Sequence, residues 1–339
     1  MTKNQLNTGI NTDAEYIINL ALGYQISQVL FAAIDMNIFT ILESGPRKIE
    51  EIAEAVGSDK QSLRRLVNAL VALNLLETKD GMFLNSNISS QYLVKGNKGY
   101  LGNAIHHDAS LWDFWEGMEK QIKSGKGKQP DDEYLGEFPH RLKDYLAAMN
   151  DFAELKSDII ADAISINKYR KMLDVGCGPG TYAINFVERN PLLDCTIIDL
   201  KPNLAYAREV ISKSGYQDRI SVLPCQILED EIPGDGYDLI FISNLIHIYG
   251  EIEVRKIVEK IWNKAAISGE IIVHDYILDE DGHGPLGASL FDINMFVGTP
   301  NGKCYTALEI KELLKELGAK NVRQIPVGLG SSLVIGEKK

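Results

Sequence analysis

The stretch Leu173–Phe186, "LDVGCGPGTYAINF", runs from an apolar segment through an acid into three closely spaced glycines, then into a helix-forming sequence. Glycine accepts positive φ and lets a ligand approach the backbone, so Gly176, Gly178 and Gly180 read as a binding turn between a strand and a helix. In an open α/β sheet such turns lie at the carboxyl ends of the strands, where ligands sit. A dinucleotide fingerprint needs G-x-G-x-x-G so that a pyrophosphate can rest on the helix N-terminus. Here the spacing is G-x-G-x-G, and Asp174 stands two residues before the first glycine. A carboxylate there repels a pyrophosphate and suits a ligand that carries an ammonium group.

The next apolar run, "TIIDL", puts Asp199 at its tip, followed by Leu200. A strand-tip carboxylate can accept both hydroxyls of a ribose. An acid, three glycines, a second acid and a strand–helix–strand order together point to S-adenosylmethionine, whose methionyl part supplies the ammonium.

Outward from this turn, strand and helix patterns alternate from residue 171 onward. "KMLDVGC", "DCTIIDL", "ISVLPC", "YDLIFIS" and "GEIIVHDYI" are short apolar runs rich in β-branched residues, and "TYAINFVERN", "NLAYAREVISKSG" and "EIEVRKIVEKIWNKA" separate them. The fold class is α/β, a parallel, Rossmann-like sheet with helices on both faces. "YTALEIKELLKELGA" adds a helix with a capping box, Thr306 with Glu309, and "NVRQIPV" and "SSLVIGEK" close the chain as strands.

Upstream, the patterns are helical. "AEYIINLALGYQISQVLFAAIDMNIFTIL" is apolar on more than one face, which suits a helix buried between subunits. Then come a short helix, a turn at Gly57-Ser58-Asp59, a second helix that Ser58 or Asp59 can cap, and a hairpin around "KDG". This is a winged-helix pattern, and it raises the alternative of a DNA-binding regulator. Against that, the second helix carries Lys60, Arg64 and Arg65 but also the apolar stripe Leu63, Leu66, Val67, Leu70 and Val71, and the chain has a formal net charge of −12. An acidic surface disfavours nucleic acid as a partner. The polar start, "MTKNQLNTGINTDAEY", lacks a signal-peptide core, and no apolar run is long enough to span a membrane. Cys177, Cys195, Cys225 and Cys304 have no CxxC or zinc-type spacing and read as reduced thiols in a cytoplasmic protein.

With "LDVGCGPG", "IIDL", "ISNLIHIYGE", "IIVHDYIL" and "DINMFVGTPNGKCYT" in this order, the chain resembles the S-adenosylmethionine-dependent O-methyltransferases of the plant caffeate type and their bacterial small-molecule relatives. The resemblance spans about Tyr16 to Lys338. It implies a winged-helix dimerisation domain over 1–105, a helical linker lining the substrate pocket over 106–170, and a catalytic domain over 171–339. It implies a homodimer and S-adenosylmethionine as cofactor; the expected acceptor is a hydroxyl of a small aromatic molecule. His247 matches the general base of that family, and Asp275 matches the carboxylate that orients it. Three positions depart from the pattern. Ile248 stands where an Asp is usual, Cys304 where plant members have a Glu, and Ser243, expected among the cofactor-binding residues with Leu200, Gln226 and Ile227, where a Lys or Arg is frequent. Gln226, beside Ile227, replaces an acid that holds adenine and can still bond the adenine amine.

The chemistry fits. A phenol has a pKa of about 10 and an imidazole about 6.5, so a hydrogen-bonded His can take the proton as the new bond forms. A carboxylate on the other ring nitrogen fixes the tautomer. Met149, Phe152, Phe291, Met295, Thr299 and Cys304 are the expected acceptor-binding residues; Trp112, Phe114 and Trp115 are a candidate roof, and His106 and His107 could face the same pocket. An alternative is methylation of the carbon next to a keto group, with a metal held by His247, His274 and Asp275.

Overall fold

The computed structural model describes residues 12–127 and 139–339, with the side chains of 139–141 left out. The stretch 128–138, inside the expected linker, lies outside the described residues. Two compact units result, Met1–Ser110 and Leu111–Lys339.

In the first unit the long apolar stretch forms helices α1 (Thr12–Ala21), α2 (Gly23–Asp35) and α3 (Ile38–Leu42). Where one continuous helical stretch was expected, α1 and α2 bend by 43° at Leu22. No residue of α1 is buried, and Tyr16, Ile17, Ile18, Leu20 and Leu22 are exposed. No single helix among the described residues is long and apolar enough to cross a membrane, although bent α1 and α2 together have the length and composition. Helix α4 (Ile49–Val56) ends on Gly57 at φ +65°, and α5 (Lys60–Ala72) follows. Asp59 caps α5, its carboxylate accepting the Ser62 N–H at 2.8 Å. Leu63, Val67 and Leu70 of α5 are buried with Phe39, Ile49 and Ile52. Strands β1 (Leu76–Lys79) and β2 (Met82–Asn85) pair antiparallel across Asp80-Gly81, the expected hairpin. Helices α6 (Asn87–Tyr92) and α7 (Gly102–Ser110) complete the unit. His106 on α7 lies 3.8 Å from Asp35 of α2.

The second unit begins with helices α8 (Trp112–Glu116), α9 (Met118–Ser124) and α10 (Pro139–Ala163). The alternation then runs β3 (Lys171–Val175), α11 (Thr181–Arg189), β4 (Asp194–Asp199), α12 (Lys201–Ser214), β5 (Ile220–Pro224), β6 (Tyr237–Ser243), α13 (Glu251–Lys264) and β7 (Ala265–Leu278). Helix α14 (Leu286–Gly298), β8 (Tyr305–Thr306), α15 (Ala307–Glu316), β9 (Lys320–Gly328) and β10 (Ser331–Glu337) finish the chain. The sheet order is β5-β4-β3-β6-β7-β10-β9, with β8 on β7. Strands β3 to β7 pair in parallel, and β10 is antiparallel to both β7 and β9. The expected capping box forms: Thr306 Oγ1 accepts the Glu309 N–H, and Glu309 Oε2 accepts the Thr306 N–H.

Period-two alternation decides which side chains face which layer. Leu239 and Phe241 of β6 pack with Ile160, Phe186 and Ile211 under α10–α12. Ile240 and Ile242 pack on the other face with Ile257, Ile261 and Leu314 under α13 and α15. Chain order reverses between β3 and β6, so their carboxyl ends form the switch point where a ligand fits.

Candidate active site

The loop after β3 is shaped by its glycines. Gly176, Gly178 and Gly180 have φ of +70°, +51° and +79°, values that disfavour any side chain. A Cβ on Gly176 would sit 2.9 Å from Leu245, whereas one on Gly178 would point into open space. The Gly178 N–H donates to Asp199 Oδ2 at 2.7 Å. Asp199 Oδ1 accepts from the Leu200 N–H and from Asn203 Nδ2, both at 2.7 Å. A carboxylate has about four lone-pair sites, and three are already taken. The expectation that Asp199 offers both oxygens to a ribose is therefore narrowed to one remaining site, on Oδ2. Burial raises the Asp199 pKa, and these three donors oppose the shift.

Asp174 shares a sheet face with Met172, and its side chain is buried. Its Oδ2 has no hydrogen-bond partner. Burial, then the charge of Asp199, pushes its carboxyl up to about 8. An orphaned acid at the carboxyl edge of the sheet fits a ligand bearing an ammonium, and the open space at Gly178 leaves room for the ligand's body. Leu200 is exposed, Ile227 is buried, and the exposed Gln226 donates its N–H to Asp230 Oδ2 at 2.8 Å.

On the far side of the switch point, Asn244 at φ +50° leads β6 into a single 3₁₀ turn, Ile246–Ile248, which carries His247. The His247 imidazole is buried, with Nδ1 2.7 Å from Asp275 Oδ1. A carboxylate opposite Nδ1 places the proton there and leaves Nε2 as the acceptor. Asp275 Oδ1 also takes the Tyr276 N–H at 2.8 Å, while its Oδ2 has no hydrogen-bond partner. Phe291 of α14 meets the His247 ring edge-on at 4.8 Å between centroids and stacks on Tyr276 at 4.1 Å. The Lys303 N–H donates to the His247 carbonyl at 2.9 Å, so the loop after α14 clamps the turn.

The other expected acceptor-binding residues divide. Met295 is buried, and Met149 and Phe152 stand half-buried on α10. The Thr299 hydroxyl is engaged in the clamp, donating to the Met295 carbonyl at 2.7 Å and accepting the Gly302 N–H at 2.8 Å. Cys304 is buried, and burial followed by the charges of Asp275 and Asp292 pushes its thiol up, so it stays neutral. Trp115 Nε1 donates to Asn294 Oδ1 at 3.1 Å, tying α8 to α14. All four cysteines are free and buried.

Alternation on β7 sends His274 to the face opposite Asp275, under α11, where its ring stacks on Phe241 and meets Tyr182 edge-on. Ser331 Oγ donates to the Gly328 carbonyl at 2.9 Å, so it accepts from Lys156 Nζ at 2.9 Å and from His274 Nε2 at 3.3 Å. His274 Nδ1 is then the acceptor for the Ser243 hydroxyl at 2.8 Å. This corrects two expectations. Ser243, assigned above to the cofactor, is turned onto His274. Both nitrogens of His274 are engaged by serines, so His247, His274 and Asp275 do not converge as metal ligands. Among the described residues no group of three or more His, Cys, Asp or Glu is placed to hold a metal ion.

Sequence reading missed Lys156, Asn203, Tyr276 and Ser331. For Lys156 a signal existed. It falls three residues after Ala153 and four before Ile160 on the buried stripe of α10, a position from which lysine is normally excluded.

Comparison with known proteins agrees with this fold. A family profile described as an O-methyltransferase domain matches residues 130–320, and one described as an O-methyltransferase dimerisation domain matches residues 18–95. The chain is 28% identical over 313 residues to a 3-hydroxy-5-methyl-1-naphthoate 3-O-methyltransferase of Streptomyces sahachiroi, covering 91% of this chain and 90% of the relative. It is 24% identical over 327 residues to the tetracenomycin polyketide synthesis 8-O-methyl transferase of Streptomyces glaucescens, covering 95% and 96%. Human N-acetylserotonin methyltransferase, solved in complex with SAM, superposes with a TM-score of 0.89 at 21% identity over 98% of this chain and 99% of its own.

Proposed function

The chain belongs to the O-methyltransferase family, and on that premise we propose that it moves the methyl group of S-adenosylmethionine to a hydroxyl of a small aromatic molecule, with His247 as general base. The observation that carries this reading is the buried 2.7 Å contact between His247 Nδ1 and Asp275 Oδ1. The relative named for a hydroxynaphthoate supports an aromatic acceptor. The matched dimerisation domain and the exposed apolar side chains of α1 support a homodimer.

When bound, S-adenosylmethionine supplies an activated methyl on a sulfonium. The protein has then to position, exclude water and move one proton. Asp174 would hold the ammonium of the methionyl part, and the open side of Gly178 would accommodate the cofactor's body. Asp199 Oδ2 would accept one ribose hydroxyl, and Gln226 and Ile227 would contact the adenine. Asp275 fixes the His247 tautomer, so Nε2 accepts the proton from the acceptor hydroxyl as its oxygen attacks. The face of Phe291 offers an apolar wall beside the imidazole for an aromatic ring.

Incubating the protein with labelled donor and a pool of aromatic hydroxy compounds identifies the acceptor. With it in hand, His247→Ala lowers turnover by roughly 10²–10⁴-fold, while calorimetric affinity for S-adenosylmethionine stays within about twofold. Undiminished turnover in that variant means that His247 is not the base.

A further inference from the structure

Lys156 is a buried charge that the reaction above does not use. Its Nζ donates to Ser331 Oγ at 2.9 Å and lies 4.9 Å from the centre of the Tyr276 ring. Tyr276 follows Asp275 in the chain, and β10 pairs Ser331 with Tyr276 and Ser332 with Asp275. The ammonium is therefore held at the end of β7 that carries Asp275, on the opposite face of the sheet. Asp275 keeps one buried oxygen without a hydrogen-bond donor. A buried carboxylate oxygen without a donor is costly unless a positive charge lies nearby.

The neighbours leave Lys156 as the balancing cation. His274 is held well below its ordinary value by burial, then by Lys156 and His247, and is neutral. Cys304, packed toward Asp275 and Asp292, is held neutral by burial and by those two charges. Burial raises Tyr182, which edges onto His274, so it too is neutral. Burial draws Lys156 down to about 8, and the Asp275 charge opposes that shift. The field between Lys156 and Asp275 passes through buried material, where water screens weakly.

We infer that Lys156 is a positioning residue for the His247–Asp275 pair: its ammonium keeps the pair from taking up a proton and leaves His247 Nε2 open to receive one from the acceptor. The inference rests on the reading of His247 as base. It adds that a lysine on α10 sets the pH range over which the base is available.

The test needs no acceptor. Histidine-¹⁵N-labelled protein is titrated by NMR between about pH 5 and pH 9, reading the protonation of His247 Nε2 in wild type, Lys156→Met and Lys156→Arg. Lys156→Met moves the midpoint up, because a cation beside the pair disfavours the imidazolium; Lys156→Arg restores it toward wild type. S-adenosylmethionine affinity within about twofold of wild type certifies the fold of each variant. An unmoved midpoint in folded Lys156→Met overturns the inference. If that variant does not fold, lysine-¹⁵N NMR of wild type decides: a Lys156 that is neutral at about pH 7 carries no charge to act with and overturns it equally. The base reading fails separately, by undiminished turnover in His247→Ala. A shifted midpoint alongside that result leaves Lys156 as a true electrostatic partner of a histidine that is not the base.

Discussion

The loop after β3 presents mostly backbone, while the turn after β6 presents side chains. Gly176, Gly178 and Gly180 lie within five consecutive residues, and hydrogen bonds from Gly176 and Cys177 to the Ile198 carbonyl and from Gly178 to Asp199 fix their path. The opposite side draws Lys156, His247, Asp275, Phe291 and Ser331 from five separate elements of the fold. A common cofactor can be bound by a compact, local device. A particular acceptor and its proton need groups at defined distances, and the chain reaches those only by tertiary packing. Errors on the two sides should therefore differ in kind. On the cofactor side a single Cβ matters; on the acceptor side a change of chemistry matters, and mere change of size less.

On the cofactor side the largest expected break is Gly178→Val. Its side chain enters space that is open in the free protein and carries φ of +51°, so S-adenosylmethionine affinity falls on the order of 100-fold, about 3 kcal/mol. Calorimetry checks this, and retained affinity would mean that the cofactor avoids the loop. Next comes a pH effect. Asp174, pushed up to about 8, is protonated in the free protein below that pH, and an ammonium binds the carboxylate form. Affinity therefore weakens as pH falls below about 8, by up to about tenfold per unit. Asp174→Asn flattens this dependence, measured as Kd at several pH values. The smallest effect is Cys304→Ala. A buried neutral thiol acts as a small hydrophobe, so turnover stays within about threefold. A loss near that of His247→Ala would instead give Cys304 the role of the Glu found in plant relatives.

The same division governed what could be read before the fold was known. "LDVGCGPG" and "TIIDL" revealed strand, turn and strand tip because local pattern alone dictates them. The sequence grouped His274 with Asp275, and only the pleat of β7 separates them, with His274 under α11 and Asp275 against His247. The partners of Ser243 and Asp199 were not legible. Ser243 meets His274 through the pairing of β6 with β7, and Asp199 spends three lone-pair sites on the loop and α12. Lys156 needs α10 to be laid across the sheet before its partner appears, since Ser331 is 175 residues away. The bend at Leu22 lies against Gly23, a weak local signal that the helical periodicity running through it masks.

The hydrogen bond from Gly178 to Asp199 has a kinetic consequence. It holds the donor loop in its final path through the core strand β4, so the ordering entropy of that loop belongs to folding and not to ligand capture. Loading of fresh donor and release of spent donor should then each proceed as one simple phase. Any slow rearrangement in the catalytic cycle would have to arise on the side that receives the acceptor.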